Sequence, residues 1–384
     1  MAEKLRAAFY RGGTSKAVVF NGADLPASQS LRDRIFLHVL GSPDANGRQL
    51  NGMGGGLSSL SKVVIVQPST RDDADVDYTF VQIAVTEPVA DYGSACGNMS
   101  SCVGPFAVDE GMVTVAKDQT DALVRIFDAN TQRIYHARFP VRDGVAVEEG
   151  DFTIPGVSGA GAKIALHFHA PGGPATGRLL PSGNAVDVIQ VDGIGDLEVS
   201  LIDAANPVVF FRAADLKRTA TETPQELDSD AALMAQIETI RRAGAVAMGI
   251  AATPDAVARS VPKVAMLAEA QDFTALDGER YAPDTHDLNV RLVSMGNFHR
   301  AITLTGGMCM AVAAQVPGTL IARIANPTGD ALRIGNASGV LPTTANVALD
   351  GADPIAVSAS TFRTQRRIME GAVLYPSDFL KDAE

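Results

Sequence analysis

Apolar residues fall along this chain in short blocks bounded by Gly, Pro, Asp and Asn. Ala17-Val18-Val19-Phe20, Val63-Val64-Ile65-Val66, Val81-Gln82-Ile83-Ala84-Val85, Leu201-Ile202 and Val208-Val209-Phe210-Phe211 are rich in β-branched and aromatic residues and predict strands. Apolar spacing of three to four residues, the mark of a helix, is clearest elsewhere. It runs from Cys96 to about Glu110, from Asp230 to Gly249 (with Leu233, Ile237 and Ile240 in phase), and from Met308 to Gln315. The pattern predicts an α+β protein, rich in strands with a few important helices.

The pattern also repeats. Val18-Val19-Phe20-Asn21-Gly22-Ala23-Asp24-Leu25 resembles Val208-Val209-Phe210-Phe211-Arg212-Ala213-Ala214-Asp215-Leu216, with one residue inserted. Later in each half, glycine opens an apolar helix: Cys96-Gly97-Asn98-Met99-Ser100-Ser101 in the first, Thr305-Gly306-Gly307-Met308-Cys309-Met310 in the second. Two matches in one order favour a duplicated fold, whose related halves each present a helix N-terminus to a shared cleft. Gly and polar residues thicken between Gly177 and Asp196. The expected domains are therefore 1–185 and 186–384, with a C-terminal tail free to pack back on the first.

Composition narrows the function. The 384 residues suit two domains of near-equal size, and 46% hydrophobic with 20% charged residues is a folding composition. A net charge of -12 argues against nucleic acid, yet leaves room for a small anion in a locally positive pocket. No apolar run reaches the ~18 residues of a membrane helix, and Met1 to Arg6 lacks the apolar stretch of a signal peptide. Three cysteines, Cys96, Cys102 and Cys309, are too few for a disulfide scaffold and predict a reduced, cytoplasmic protein. A homodimer is left open.

Candidate chemistry gathers in polar turns. Cys96 stands at a helix start, where N–H groups and the helix dipole favour an anion, a setting that suits a thiol in acid–base work. A buried structural cysteine at a tight turn fits the segment equally well. Cys102 and Cys309 lie inside their helices and read as packing. Asn51-Gly52-Met53-Gly54-Gly55-Gly56-Leu57-Ser58-Ser59-Leu60-Ser61-Lys62 lacks the Gly-Lys-Ser/Thr ending of a phosphate loop and precedes a strand, so nucleotide binding is rejected. Its glycines and serines can instead offer donors to carboxylates. Lys62 opens an apolar strand, where desolvation would make it a base; taken alone, it also reads as an ordinary surface lysine. Tyr10-Arg11-Gly12-Gly13-Thr14-Ser15-Lys16 suits an organic acid or a solvated hairpin turn. Asn206-Pro207 could bind a carboxylate or cap a turn, and Arg363-Thr364-Gln365-Arg366-Arg367 reads as a solvated face. His167 and His169 share one side of a strand with no further ligand nearby in sequence, so no metal site is expected. No Gly-x-Ser-x-Gly elbow or dinucleotide fingerprint occurs. Cofactor-free acid–base chemistry is the expectation.

Together, Tyr10 to Lys16, Asn51 to Lys62, Cys96 to Phe106, Ala205-Asn206-Pro207, Thr305 to Val316, Gly335 to Gly339 and Arg363 to Gly371 resemble the PrpF family, within the larger group shaped like diaminopimelate epimerase. The resemblance spans almost the whole chain. It implies two pseudo-symmetric domains, each a strand-rich, barrel-like shell around a central helix, with the active site between them. It implies a cofactor-independent isomerase that moves a double bond in a small unsaturated acid such as methylaconitate, aconitate, methylitaconate or 4-oxalomesaconate. The family's proton-transfer pair falls on Lys62 and Cys96. Expected substrate contacts are Arg11, Gly13, Thr14, Ser15, Gly54, Gly55, Ser58, Gly97, Asn98, Met99, Asn206, Thr305, Gly306, Gly307 and Met308. Epimerases of the larger group use two facing cysteines, but Thr305 takes the second position here, and Cys309 is about one helical turn further on. This weighs against the competing reading, an epimerase or racemase of an amino or hydroxy acid. A second competitor, an accessory protein to an iron–sulfur dehydratase, would not need the Lys62–Cys96 pair.

Overall fold

The computed structural model describes residues 2–325, 327, 329–350 and 353–380. Contacts divide the chain into Met1–Leu166 joined by Phe362–Glu384, and His167–Thr361. Residues 167–185, placed with the first domain by the sequence, thus go with the second unit. Their backbone explains this: Ala170 N–H donates to Val357 O, Gly173 N–H to Asp203 O, and Ala175 and Thr176 N–H to the Asp203 carboxylate. The terminal strand Gln365–Pro376 pairs antiparallel along the whole of the first strand, which fixes it in the first unit.

In the first unit β1 (Ala2–Gly12) turns through Gly13-Thr14 into antiparallel β2 (Ser15–Asn21). α1 (Gln29–Leu40) follows, with Ser28 accepting at its N-cap and Gly41 at φ 75° ending it. β3 (Lys62–Pro68) runs parallel to β2, and β4 (Val76–Ile83) antiparallel to β3. α2 (Ser100–Asp109) leads to β5 (Asp121–Asp128), parallel to β4, and β6 (Arg133–Arg142), antiparallel to β5. The continuous apolar run of β3 is explained by burial on both faces. Val63 and Ile65 cluster with Leu31, Ile35 and Phe36 of α1, while α2 also meets β3. Each such side chain contributes about 1.5–3 kcal/mol when fully buried. α2 is buried from Ser100 to Val108 and is touched by β1, β3, β4, β5 and β6, which suits its run of small and apolar residues from Cys102 to Val108. Gly104 admits the Phe139 ring of β6; a Cβ there would stand 2.6 Å from it.

The second unit repeats this order and sense. β7 (Gly195–Ala204) is antiparallel to β8 (Asn206–Arg212), α3 (Ala231–Ala247) follows, and β9 (Lys263–Glu269) is parallel to β8. β10 (Leu288–Ser294) is antiparallel to β9, α4 (Leu304–Ala314) follows, β11 (Ala331–Asn336) is parallel to β10, and β12 (Gly339–Asp350) is antiparallel to β11. Leu233, Ile237 and Ile240 of α3 pack on Val209, Phe211, Val264 and Met266. α4 is buried from Leu304 to Ala313 and touches β7, β8, β11 and β12. It begins at Leu304 rather than at Met308, because Thr303 Oγ1 accepts from Gly306 N–H and caps it. β9 opens on buried Lys263 just as β3 opens on buried Lys62. Each unit is thus a shell of strands around an inner helix. Among the described residues no helix is long and apolar enough to cross a membrane.

Candidate active site

Lys62 faces Gln82 across the β3–β4 ladder, and only 7% of it is exposed. Its Nζ donates to Gln82 Oε1 at 2.6 Å and lies 4.9 Å from the centre of the Phe80 ring, within range of an electrostatic interaction with Cys96. Burial pushes the lysine pKa below its ordinary range, while Cys96 opposes that shift. The preceding loop is shaped by Gln49, whose Nε2 donates to Ser42 Oγ at 2.8 Å and Ser61 Oγ at 2.6 Å, and whose Oε1 accepts from Gly56 N–H at 2.9 Å. Gly54 and Gly55 make room for this loop's own side chains: a Cβ would stand 2.3 Å from Gln49 Oε1 and 2.7 Å from Leu60 Cδ1, respectively. The Ser58 carbonyl accepts from Gln82 Nε2 at 3.1 Å.

Cys96 lies in the turn that becomes α2. Its carbonyl accepts from Ser100 N–H at 3.0 Å, Ser100 Oγ at 3.2 Å and Tyr78 Oη at 3.2 Å. Ser100 is thus where the helical bonding starts, and the amides of Gly97, Asn98 and Met99 stand ahead of it at the positive end of the helix. The β1–β2 turn presses on this segment. A Cβ on Gly12 would stand 2.8 Å from Asn98 O, and one on Gly13, at φ 52°, would stand 2.4 Å from Asn98 Oδ1. Glycine is required at the second position both by the left-handed backbone and by the close approach. Asn98 Nδ2 donates to Thr14 Oγ1 at 3.1 Å, and Ser15 and Met99 are buried alongside. Arg11 fastens the turn through Nη1 to Gly13 O at 3.1 Å and Thr364 O at 3.0 Å.

Arg363 joins the same cluster, which corrects its reading as a solvated face. Its Nε donates to Asn98 Oδ1 at 3.0 Å, and only 3% of it is exposed. Burial pulls its pKa down to about 10, with Cys96 opposing, so it stays a cation at neutral pH. Gly12 pairs with Gln365 in the β1 ladder, and that long-range register carries Arg363 to the turn.

The remaining expected contacts lie in the second unit. Asn206 opens β8, is 2% exposed, and its Oδ1 has no hydrogen-bond partner among the described residues. Thr305, Gly306, Gly307 and Met308 are buried in the first turns of α4. The N–H of Gly306 is held by Thr303 Oγ1 at 3.1 Å and that of Gly307 by Thr303 O at 2.9 Å, so both are taken up by the helix itself. Cys309 donates to Ile202 O at 3.6 Å and Cys102 to Met99 O at 3.1 Å; burial pushes both thiols well above the ordinary range. Neither is fit for proton transfer near neutral pH.

What the first unit assembles is a buried amine in electrostatic reach of a buried thiol, together with a guanidinium, an amide and a hydroxyl. Such a set can bind a carboxylate and move a proton. Comparison with known proteins gives the family. The PrpF protein family model matches residues 2–376. A 3-methylitaconate isomerase from Eubacterium barkeri is 40% identical over 369 residues, covering 94% of this chain and 95% of that protein. A 2-methyl-aconitate isomerase from Shewanella oneidensis is 37% identical, covering 97% of each. A solved methylitaconate-delta-isomerase superposes with a TM-score of 0.80 at 38% identity, covering 99% of this chain and 97% of that one. A hydroxyproline epimerase from Agrobacterium vitis, 13% identical, shares the fold with a TM-score of 0.54 over 97% of this chain and 92% of its own.

Proposed function

The chain belongs to the PrpF family and is an isomerase, and from that premise we propose that Lys62 and Cys96 carry a 1,3-proton shift in a small unsaturated di- or tricarboxylic acid. The observation that bears this reading is a buried amine, Lys62, in electrostatic reach of a buried thiol, Cys96, with Asn98 beside the thiol hydrogen-bonded to both Arg363 and Thr14. One carboxylate of the acid binds to Arg363, to Thr14 Oγ and to the amides at the start of α2. Lys62 removes a proton from the carbon next to the double bond. The released electron pair forms the new double bond, the old π pair moves toward the far carbon, and the charge rests transiently on carboxylate oxygen. N–H donors aimed at such an oxyanion are commonly worth ~3–4 kcal/mol each. Cys96 then delivers a proton to the far carbon. One proton leaves the substrate and one arrives, so no oxidant or reductant is required. The Lys62 ammonium finally returns its proton to the Cys96 thiolate, which resets the pair.

In this mechanism each group takes up a proton that the other gives back. With the proton on sulfur, nitrogen is the base; with it on nitrogen, the roles reverse. The direction of the reaction therefore decides which one acts first. In sequence, Thr305 takes the position of the second cysteine of the epimerases, which disfavours an epimerase. Three cysteines, none of them disulfide-bonded, fit a reducing cytoplasm.

Incubating the purified chain in D2O with methylitaconate, methylaconitate, cis-aconitate and 4-oxalomesaconate, followed by proton NMR, tests the reading. Double-bond migration with deuterium gained at carbon is expected for at least one acid. Racemisation of chiral acids without migration would favour the epimerase, and inertness toward all four would sink the isomerase mechanism. Replacing Arg363 by Met is expected to raise KM about ten- to hundredfold, matching the ~1.5–3 kcal/mol of a charge-assisted hydrogen bond. An unchanged KM in steady-state assays would remove it from carboxylate binding.

A further inference from the structure

We propose that Gln82 is a positioning residue for the proton shift: it aims the Lys62 nitrogen at Cys96 while leaving that nitrogen free to change protonation state. The inference rests on the assignment of Lys62 and Cys96 above and deepens it.

The orientation of the Gln82 amide follows from its surroundings. Its Nε2 faces three carbonyls, those of Ser61 at 2.9 Å, Ser58 at 3.1 Å and Ile83 at 3.3 Å. Carbonyls only accept, so the NH2 group must point at them. Oε1 is then forced toward Lys62, whose Nζ is 2.6 Å away. A carbonyl oxygen takes one N–H from the lysine whether that lysine is an ammonium or an amine. The rest of the nitrogen, including the lone pair of the amine, is turned away from Gln82, and the proposal gives that side to Cys96, whose charge opposes the desolvation of Lys62. Phe80 beneath the side chain restricts it further.

The chemistry of residue 82 therefore matters as well as its shape. A carboxylate would aim the nitrogen equally well but would favour the ammonium strongly. An apolar side chain would aim nothing and would leave the buried ammonium without its acceptor. A neutral amide does the first task without the second effect. Gln82 also grips the carbonyl of Ser58, which opens the Ser58–Leu60 turn, and that of Ser61, which follows it, so the loop that enters β3 and the base at its start are held by one side chain. Among the described residues the ionisable group interacting with Lys62 is Cys96; Arg363 and Tyr78 in turn feel Cys96.

The test compares kcat, KM and the pH profile of methylitaconate isomerisation for the unmodified chain, Gln82→Met, Gln82→Glu and Lys62→Met. Gln82→Met is expected to lower kcat about ten- to hundredfold through misaiming, with KM within about threefold. It should also move the acidic limb of the profile down. Gln82→Glu should move the same limb up, by about one pH unit or more, because an adjacent carboxylate stabilises the protonated pair. Opposite shifts from one position are not the mark of a packing defect. If only one variant folds by circular dichroism, its own limb decides. Limbs that stay put, or that move together, overturn the role of Gln82; an inactive Lys62→Met then leaves the proton-transfer assignment standing. Full activity in Lys62→Met would overturn both.

Discussion

Replacing Lys62 by Met is expected to lower kcat by about 10²–10⁴-fold, the usual contribution of a positioned acid–base group. Methionine keeps the length and the apolar stem over Phe80, so the lesion is confined to the amine. Gln82 Oε1 loses its donor, at a cost of about 1–3 kcal/mol in stability, which a thermal melt would read separately from rate. The sign of the pH effect follows from the shift at Lys62. Desolvation disfavours the ammonium, so its proton leaves at a lower pH than the ~10.4 of a free lysine. In the unmodified enzyme the rate should rise as pH climbs through that lowered value, because the amine is the competent base. In Lys62→Met the same limb should be gone. An acidic limb unchanged in the variant, with kcat intact, would place the base elsewhere.

Cys96→Ser is expected to reduce isomerisation over a similar range, about 10²–10⁴-fold, but to separate the two proton transfers. A hydroxyl is too weak an acid to deliver the second proton efficiently, whereas Lys62 can still take the first. In D2O, in the direction where Lys62 acts first, the starting acid should become deuterated faster than product accumulates. Lys62→Met should do neither. Proton NMR on both pools measures this. If Cys96→Ser blocks exchange as fully as conversion, while Lys62→Met still exchanges, the order of the two groups is reversed. If both variants convert normally, neither group is chemical.

Much of the scaffold was legible because it is local. The Val18 and Val208 segments form β2 and β8, and the run after Lys62 forms β3, since β-branched blocks between turn residues have few other uses. The duplicated order was visible in two short matches, and the strand pairing repeats it in both units. α1 was missed, although Ser28 followed by Leu31, Ile35, Phe36, Val39 and Leu40 carries both a cap and an apolar face. The unread parts depend on distant pairing. Arg363 reaches Asn98 only because the last strand zips along β1 up to Gly12, a match made across almost the full chain. Gln82 sits within an apolar strand, and its relation to Lys62 exists only through the β3–β4 register. The glycines at 54 and 55 signal close approach, as their composition suggests, but what approaches is Gln49 and Leu60. A sequence motif can mark where space is needed without saying what fills it.

If Lys62 and Cys96 carry the two proton transfers as proposed, their neighbourhood would constrain the handedness of the product. Two neighbouring groups would reach a flattened allyl skeleton from a single flank. Departure and arrival across the same π face would make the shift suprafacial, and any stereocentre created at the receiving carbon is expected to take one configuration.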